Sequence, residues 1–230
     1  MKTLGVVLAA ILVVLIFVSF LYVVQGAQSK NLKIGVVIPL TGSGTVWGTY
    51  IQRGVEMALE NKNIDIIFED GKCSPQESVK AVRKLIEIDD VDAIIGESCS
   101  SATLAIAPIA QQGNTVLMAP GSTDPRIPKV GNLIFRNWYS NVVEMEELAG
   151  IVKNRFNHTD VGVLYTLNEW GQSRKETFKA NFNGTVVEQA FEQDSRDFRT
   201  QIIKIMGSGV DSVIIIGYTN DMVIALTQMN

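Results

Sequence analysis

The stretch Lys33-Ile34-Gly35-Val36-Val37-Ile38-Pro39-Leu40-Thr41-Gly42 decides the fold. A short run rich in Val and Ile reads as a strand, and Pro39 and Gly42 end it. From there apolar runs alternate with amphipathic segments without a break. Strands are predicted at Lys33–Ile38, Ile64–Glu69, Ala93–Ile95, Thr115–Met118, Leu133–Arg136, Val161–Tyr165, Thr185–Ala190 and Ser212–Ile216. Between most of them lies a helical pattern, so the expected class is α/β, with mainly parallel sheets flanked by helices on both faces.

The clearest helix start is Ser74-Pro75-Gln76-Glu77: Ser caps, Pro takes the first turn, and Glu reaches back to the cap. Val79, Val82, Leu85 and Ile86 follow at helical spacing and should face the sheet. Met145, Leu148, Ile151 and Val152 form a second such face, and Phe198, Ile202, Ile205 and Met206 a third; these are core residues rather than a cofactor box. The irregular loop Pro120–Pro128 marks a crossing between two lobes. The expected division is a linker at residues 28–32, a first ligand-binding lobe at 33–137 and a second at 138–230. Asn220–Asn230 reads as a helix without a stop signal, so the second lobe is expected to be incomplete and the chain truncated at its C-terminus.

Upstream, an uncharged, mostly apolar stretch from Leu4 to Val24 follows Met1-Lys2-Thr3. Residues 1–27 are either a signal peptide or an uncleaved membrane anchor, and both place the rest outside the cytoplasm. In such a compartment the even pair Cys73 and Cys99 favours a disulfide over two unpaired thiols. A metal site would need more ligands than two cysteines and the single histidine, His158, supply. The net charge is −4, with Lys and Arg scattered singly, so no nucleic acid is expected. The sequons at Asn157 and Asn183 matter only where the organism glycosylates such motifs.

In an open parallel sheet, function stands at the carboxyl ends of the strands. There the chain offers Pro39 to Gly48, Ser98 to Ser101 and Ala119 to Thr123, then Asn168 to Gly171 and Gly217 to Asn220. Hydroxyls and open backbone from one lobe, with Trp47, Trp170 and Tyr218 as walls, suit a small amphiphilic ligand. Ser100 falls just before a helix predicted at Ser101–Gln112, where it is either an N-cap or part of an anion site. Enzyme readings fare poorly. Gly42, Gly44 and Gly48 miss the dinucleotide-binding spacing by one position, no G-x-S-x-G elbow is present, and His158 stands in a polar turn.

In order and spacing these segments resemble the extracytoplasmic solute-binding proteins of branched-chain amino acid ABC transporters, the leucine/isoleucine/valine-binding type with the type I periplasmic-binding fold. The marks are Lys33–Val36 leading to Pro39–Gly42, Asp70 through Pro75, Ile95-Gly96 through Ser101, Ala119–Thr123, Asp197-Phe198 and Gly217-Tyr218. The resemblance implies that Cys73 and Cys99 are the family's disulfide pair. It implies a ligand-binding set of Trp47, Ser98, Ser100, Gly121, Ser122, Thr123, Trp170 and Tyr218, with Ser100 and Thr123 holding the carboxylate and ammonium groups of an amino acid. It further implies no catalysis, no cofactor and an ABC permease as partner. Ser98 stands where leucine-type binders carry an apolar residue, which points to a more polar pocket. The alternatives are a binder of amides or aromatic acids, or the ligand-sensing outer domain of a membrane receptor.

Overall fold

The computed structural model describes Leu15, residues 31–42 and residues 44–229. The chain divides into two compact units, Met1–Leu32 and Lys33–Asn230. The apolar segment Leu4–Val24 lies, but for Leu15, outside the described residues; among the described residues no helix is long and apolar enough to cross a membrane.

The larger unit carries two sheets. The first has the order β2-β1-β3-β4-β5, built from β1 (Leu32–Ile38), β2 (Ile64–Asp70), β3 (Ala93–Gly96), β4 (Val116–Ala119) and β5 (Ile134–Arg136). The second has the order β7-β6-β8, from β6 (Asp160–Thr166), β7 (Thr185–Phe191) and β8 (Ser212–Ile216). All eight predicted strands form, each within a residue of its expected ends. β1 runs parallel to β3 with Ile34 opposite Ala93, and β6 runs parallel to both β7 and β8.

Helices cover both faces of each sheet. α1 (Thr45–Leu59) packs on a cluster around Val36, Ile38 and Val55, while α2 (Pro75–Glu87) and α3 (Ser100–Gln112) close the opposite face through Val82, Leu85, Ile106 and Leu117. In the second sheet, α4 (Asn141–Asn154) and α5 (Glu169–Asn181) cover Val161, Val163 and Phe178. There α6 (Arg199–Met206) and α7 (Thr219–Met229) cover the other face through Leu164, Phe198 and Ile205. Burial on both faces is why these strands read as continuous apolar runs rather than alternating ones.

Local chemistry sets the helix starts. Ser74 caps α2 by accepting from the Glu77 N–H at 3.4 Å, with Pro75 in the first turn. The reciprocal half of the expected capping box is replaced: the Ser74 N–H donates to the Gly71 carbonyl at 2.8 Å, and Glu77 pairs with Lys80 instead. Asn168 caps α5 by accepting from Gly171 N–H at 2.9 Å. Two expected core positions, Ile151 and Met206, are 43% and 57% exposed. Both fall in the last turn of their helices.

The two halves repeat one another. Lys33 N–H donates to the Asp92 carboxylate at 2.8 Å while Asp92 N–H donates to the Lys33 carbonyl at 2.9 Å. In the second sheet Asp160 and Asp211 make the same reciprocal pair, at 3.0 and 2.7 Å. Each clamp fixes the register between a central strand and the strand that follows it by two. The helix that follows each central strand, α1 after β1 and α5 after β6, also carries Trp-Gly in its first turn, pressed on the strand's exit: a Cβ at Gly48 would stand 2.0 Å from the Pro39 carbonyl oxygen, and one at Gly171 2.1 Å from that of Thr166.

Within α1 the same substitution therefore has opposite effects at two positions. Gly48→Ala forces helix and strand apart and should cost about 3 kcal/mol, whereas Gly54, whose Cβ would meet nothing within 4 Å, should gain about 0.5–1 kcal/mol as Ala. Urea unfolding midpoints at unchanged slope check both signs.

Candidate functional site

A cavity of about 670 Å³ lies at the carboxyl ends of the strands, between the elements of the first sheet and those of the second. From the first side, α1 presents Trp47, Tyr50 and Ile51 on one helical face. The turn from β3 to α3 adds Ser98 and Cys99, and the chain leaving β4 adds Pro120, Gly121 and Thr123. Trp138 and Tyr139, at the crossing, stand on the rim with 42% and 52% of their surface exposed. From the second side come Glu144, Met145 and Leu148 of α4, Trp170 and Arg174 of α5, the end of β8, and Tyr218. Trp170 and Tyr218 stack with ring centres 5.3 Å apart, and the Arg174 guanidinium sits 4.6 Å from the Trp170 ring.

The eight residues singled out from sequence separate into two groups. Trp47, Ser98, Gly121, Thr123, Trp170 and Tyr218 line the cavity; Ser100 and Ser122 do not. Ser100 is the first residue of α3 rather than its cap, a place taken by Cys99, and its hydroxyl accepts the N–H groups of Thr123 and Asp124 at 3.2 and 3.3 Å. Ser122 is fully buried, donating to the Glu97 carbonyl at 3.0 Å and bonded to Thr103 at 2.6 Å. Both brace the loop that presents Thr123. Thr123 itself is 3% exposed, and its hydroxyl oxygen has no partner. A buried hydroxyl left unbonded at a cavity wall is a free hydrogen-bonding site.

Cys73 and Cys99, the latter in this wall, form a disulfide, with Cα atoms 5.3 Å apart and a sequence separation of 26. In the chain-entropy picture such a loop contributes roughly 3 kcal/mol. It joins the exits of β2 and β3. Glu97, fully buried, holds the same two loops: its carboxylate accepts from Cys99 N–H at 2.9 Å and Cys73 N–H at 3.4 Å. Burial nevertheless dominates and pushes its pKa up to about 7. Burial also pushes the Tyr218 hydroxyl up to about 12, so it is a neutral donor at physiological pH.

An ion-pair network links residues of the two halves. The Asp124 carboxylate, fully buried, takes two bonds from Arg126, at 3.0 Å to Nε and 2.7 Å to a terminal nitrogen, and that same nitrogen also meets Glu169 at the start of α5. The hydrogen bonds that Arg126 donates to Asp124 and Glu169 hold the guanidinium pKa above its ordinary value. Neither this bridge nor the Glu144–Arg174 pair was among the sequence candidates. The spacing of Trp170 and Arg174, one helical turn apart, was the available signal.

Residues 31–230 match the periplasmic binding protein family. The chain belongs to that family. Among curated relatives it is 25% identical over 201 residues to an amino acid binding protein of Pseudomonas aeruginosa, covering 80% of this chain and 53% of that one. To the leucine-, isoleucine-, valine-, threonine- and alanine-binding protein of the same organism it is 25% identical over 214 residues, covering 87% and 57%. The chain thus spans little more than half the length of these relatives. The fold is the type I periplasmic-binding fold: the leucine binding protein LivK of Thermotoga maritima superposes with a TM-score of 0.83 at 24% identity, covering 86% of this chain and 59% of that one. A Rhodopseudomonas palustris solute binding protein solved with 4-hydroxybenzoate superposes at 0.73 and 20% identity, covering 81% and 54%.

The Glu97 shift gives this periplasmic binding protein a pH signature. Between pH 4.5 and about 7 the folded chain keeps a proton on Glu97 that the unfolded chain has released, so this group's contribution to stability falls as pH rises through that window and is level above it. Glu97→Gln should flatten that part of the profile in chemical unfolding at stepped pH.

Proposed function

We propose that the chain is the extracytoplasmic solute-binding component of an ABC transporter, capturing an amino acid, most simply a branched-chain one, between lobes formed by residues 33–137 and 138–230. The observation that carries this reading is the buried, unpartnered Thr123 hydroxyl in a cavity walled mostly by aromatic and aliphatic side chains. The ligand's charged end sits at Thr123, Ser98 and the backbone around Gly121, its side chain against Trp47, Trp170 and Tyr218. Ser100 and Ser122 serve by holding that loop, and Ser100 stays at the anion-favouring start of α3. The role is binding, not catalysis, in keeping with relatives named as binding proteins. Residues 1–27 direct export or hold the protein at the membrane, and a permease receives the solute.

Closure of the lobes over the ligand supplies the hydrogen bonds that buried charges require. A second reading, binding of an aromatic acid, is favoured by the rings of Trp47, Tyr50, Trp138, Tyr139, Trp170 and Tyr218 around one cavity and by the relative solved with 4-hydroxybenzoate.

Thr123→Val removes the hydroxyl without taking a bond from the protein. Titration calorimetry with L-leucine, L-isoleucine and L-valine should show affinity reduced roughly tenfold or more, with the melting temperature of the free protein unchanged. Ser100→Ala should instead lower that melting temperature, because two loop N–H groups lose their acceptor. Equal affinity in Thr123→Val and the parent would remove Thr123 from the site.

A further inference from the structure

We infer that the cavity selects a ligand whose far end is a neutral group able both to donate and to accept a hydrogen bond, a hydroxyl or a primary amide, read by Arg174 and Glu144. This rests on the binding role proposed above and narrows its ligand. Among the described residues lining the cavity, Glu144 and Arg174 alone carry charge; the rest are apolar, aromatic, hydroxyl-bearing or glycine.

The two side chains come from different helices and meet at 2.6 Å, an Arg174 terminal nitrogen to one Glu144 oxygen. Arg174 is only 8% exposed and lies against Trp170. Their pairing is half made. Arg174 Nε, a donor, and the second Glu144 oxygen, an acceptor, are both buried without a partner. A buried ion pair stabilises only when its remaining donors and acceptors are satisfied, and an apolar pair of the same volume would pack as well or better. A wall meant for an aliphatic side chain gains nothing from this pair.

Charge then restricts the occupant. An anionic end would meet Glu144 and a cationic end Arg174, whereas a neutral donor–acceptor group gives an oxygen to Arg174 Nε and a proton to Glu144. Both side chains line the cavity, Arg174 buried and Glu144 with 34% of its side-chain surface exposed, so the unpaired nitrogen and oxygen belong to its wall. The two polar ends are joined through the backbone. Asn141 N–H at the start of α4 donates to the Thr123 carbonyl at 2.9 Å, and Glu144 follows three residues later, about 4.5 Å along the helix axis. The helix that carries Glu144 thus starts against the loop that carries Thr123, and both residues line the same cavity.

The test is titration calorimetry on the 230-residue chain with matched probes: L-tyrosine against L-phenylalanine, L-glutamine against L-leucine, and 4-hydroxybenzoate against benzoate, with L-glutamate and L-lysine as charged controls. In at least one pair the hydroxyl or amide member should bind tenfold or more tightly, and the charged controls more weakly than it. In Arg174→Met/Glu144→Leu that preference should vanish while the apolar member binds as well as before or better. A melting curve checks that this variant folds, and the parent's ratios stand on their own if it does not. Binding without preference in the parent, or a preference that survives in a folded double variant, overturns the inference and leaves the binding role intact. Failure of every probe to bind overturns both.

Discussion

The first half of the site hangs on one residue that never touches the cavity. Glu97 ends β3, and its carboxylate gathers the N–H groups of Cys73 and Cys99 while its carbonyl takes the hydroxyls of Thr103 and Ser122. Four segments, the exits of β2, β3 and β4 and the first turn of α3, are thereby referred to a single point. The disulfide repeats part of that linkage covalently. A carboxyl is well suited to the place because, protonated or not, it accepts from two backbone donors at once, and its desolvation is offset by those bonds only in part, which is why its proton is held so firmly. Thr123 is positioned at second hand, through Ser122 on one side and Ser100 on the other.

Much of this arrangement was legible in the residues. Strands buried on both faces leave continuous runs of Val and Ile, and a parallel sheet puts every functional loop at the same end, so Trp47, Gly121, Thr123, Trp170 and Tyr218 could be picked out as neighbours though up to 171 positions separate them. What periodicity does not carry is which way a loop hydroxyl points. Ser100 and Ser122 have the composition of ligand contacts and spend their bonds inward, since a loop that must project Thr123 needs internal acceptors. Ile151 and Met206 fail for a related reason: a helical stripe says which face is apolar, not where the sheet beneath it stops. The charged pairs Arg126–Glu169 and Glu144–Arg174 join segments distant in sequence or on separate helices, and such pairs leave no local pattern.

The contact between the halves and the cavity wall use charge differently. Arg126 shares its fork between a buried aspartate of its own half and an exposed glutamate of the other, so one half owns the cation and the other borrows it. That asymmetry lets the contact across the gap break without leaving a buried charge unpaired. Glu144 and Arg174 both belong to the second half, and their pairing persists whatever the gap does. The pair that joins the halves and the pair in the cavity wall thus share no residue.

The paired Trp47-Gly48 and Trp170-Gly171 steps carry a consequence of their own. Each glycine lets its helix rest directly on a carbonyl at its strand's exit, so the backbone that carries the tryptophan before it is set by main-chain contact, whatever its ring then packs on. The two rings face one space from repeated halves, like jaws mounted on identical hinges. Their mounting does not depend on what they grip. Diversification of such a scaffold is therefore free at the residue preceding each glycine and closed at the glycine itself, and new binding preferences arise by changing the jaw while the hinge is inherited unchanged.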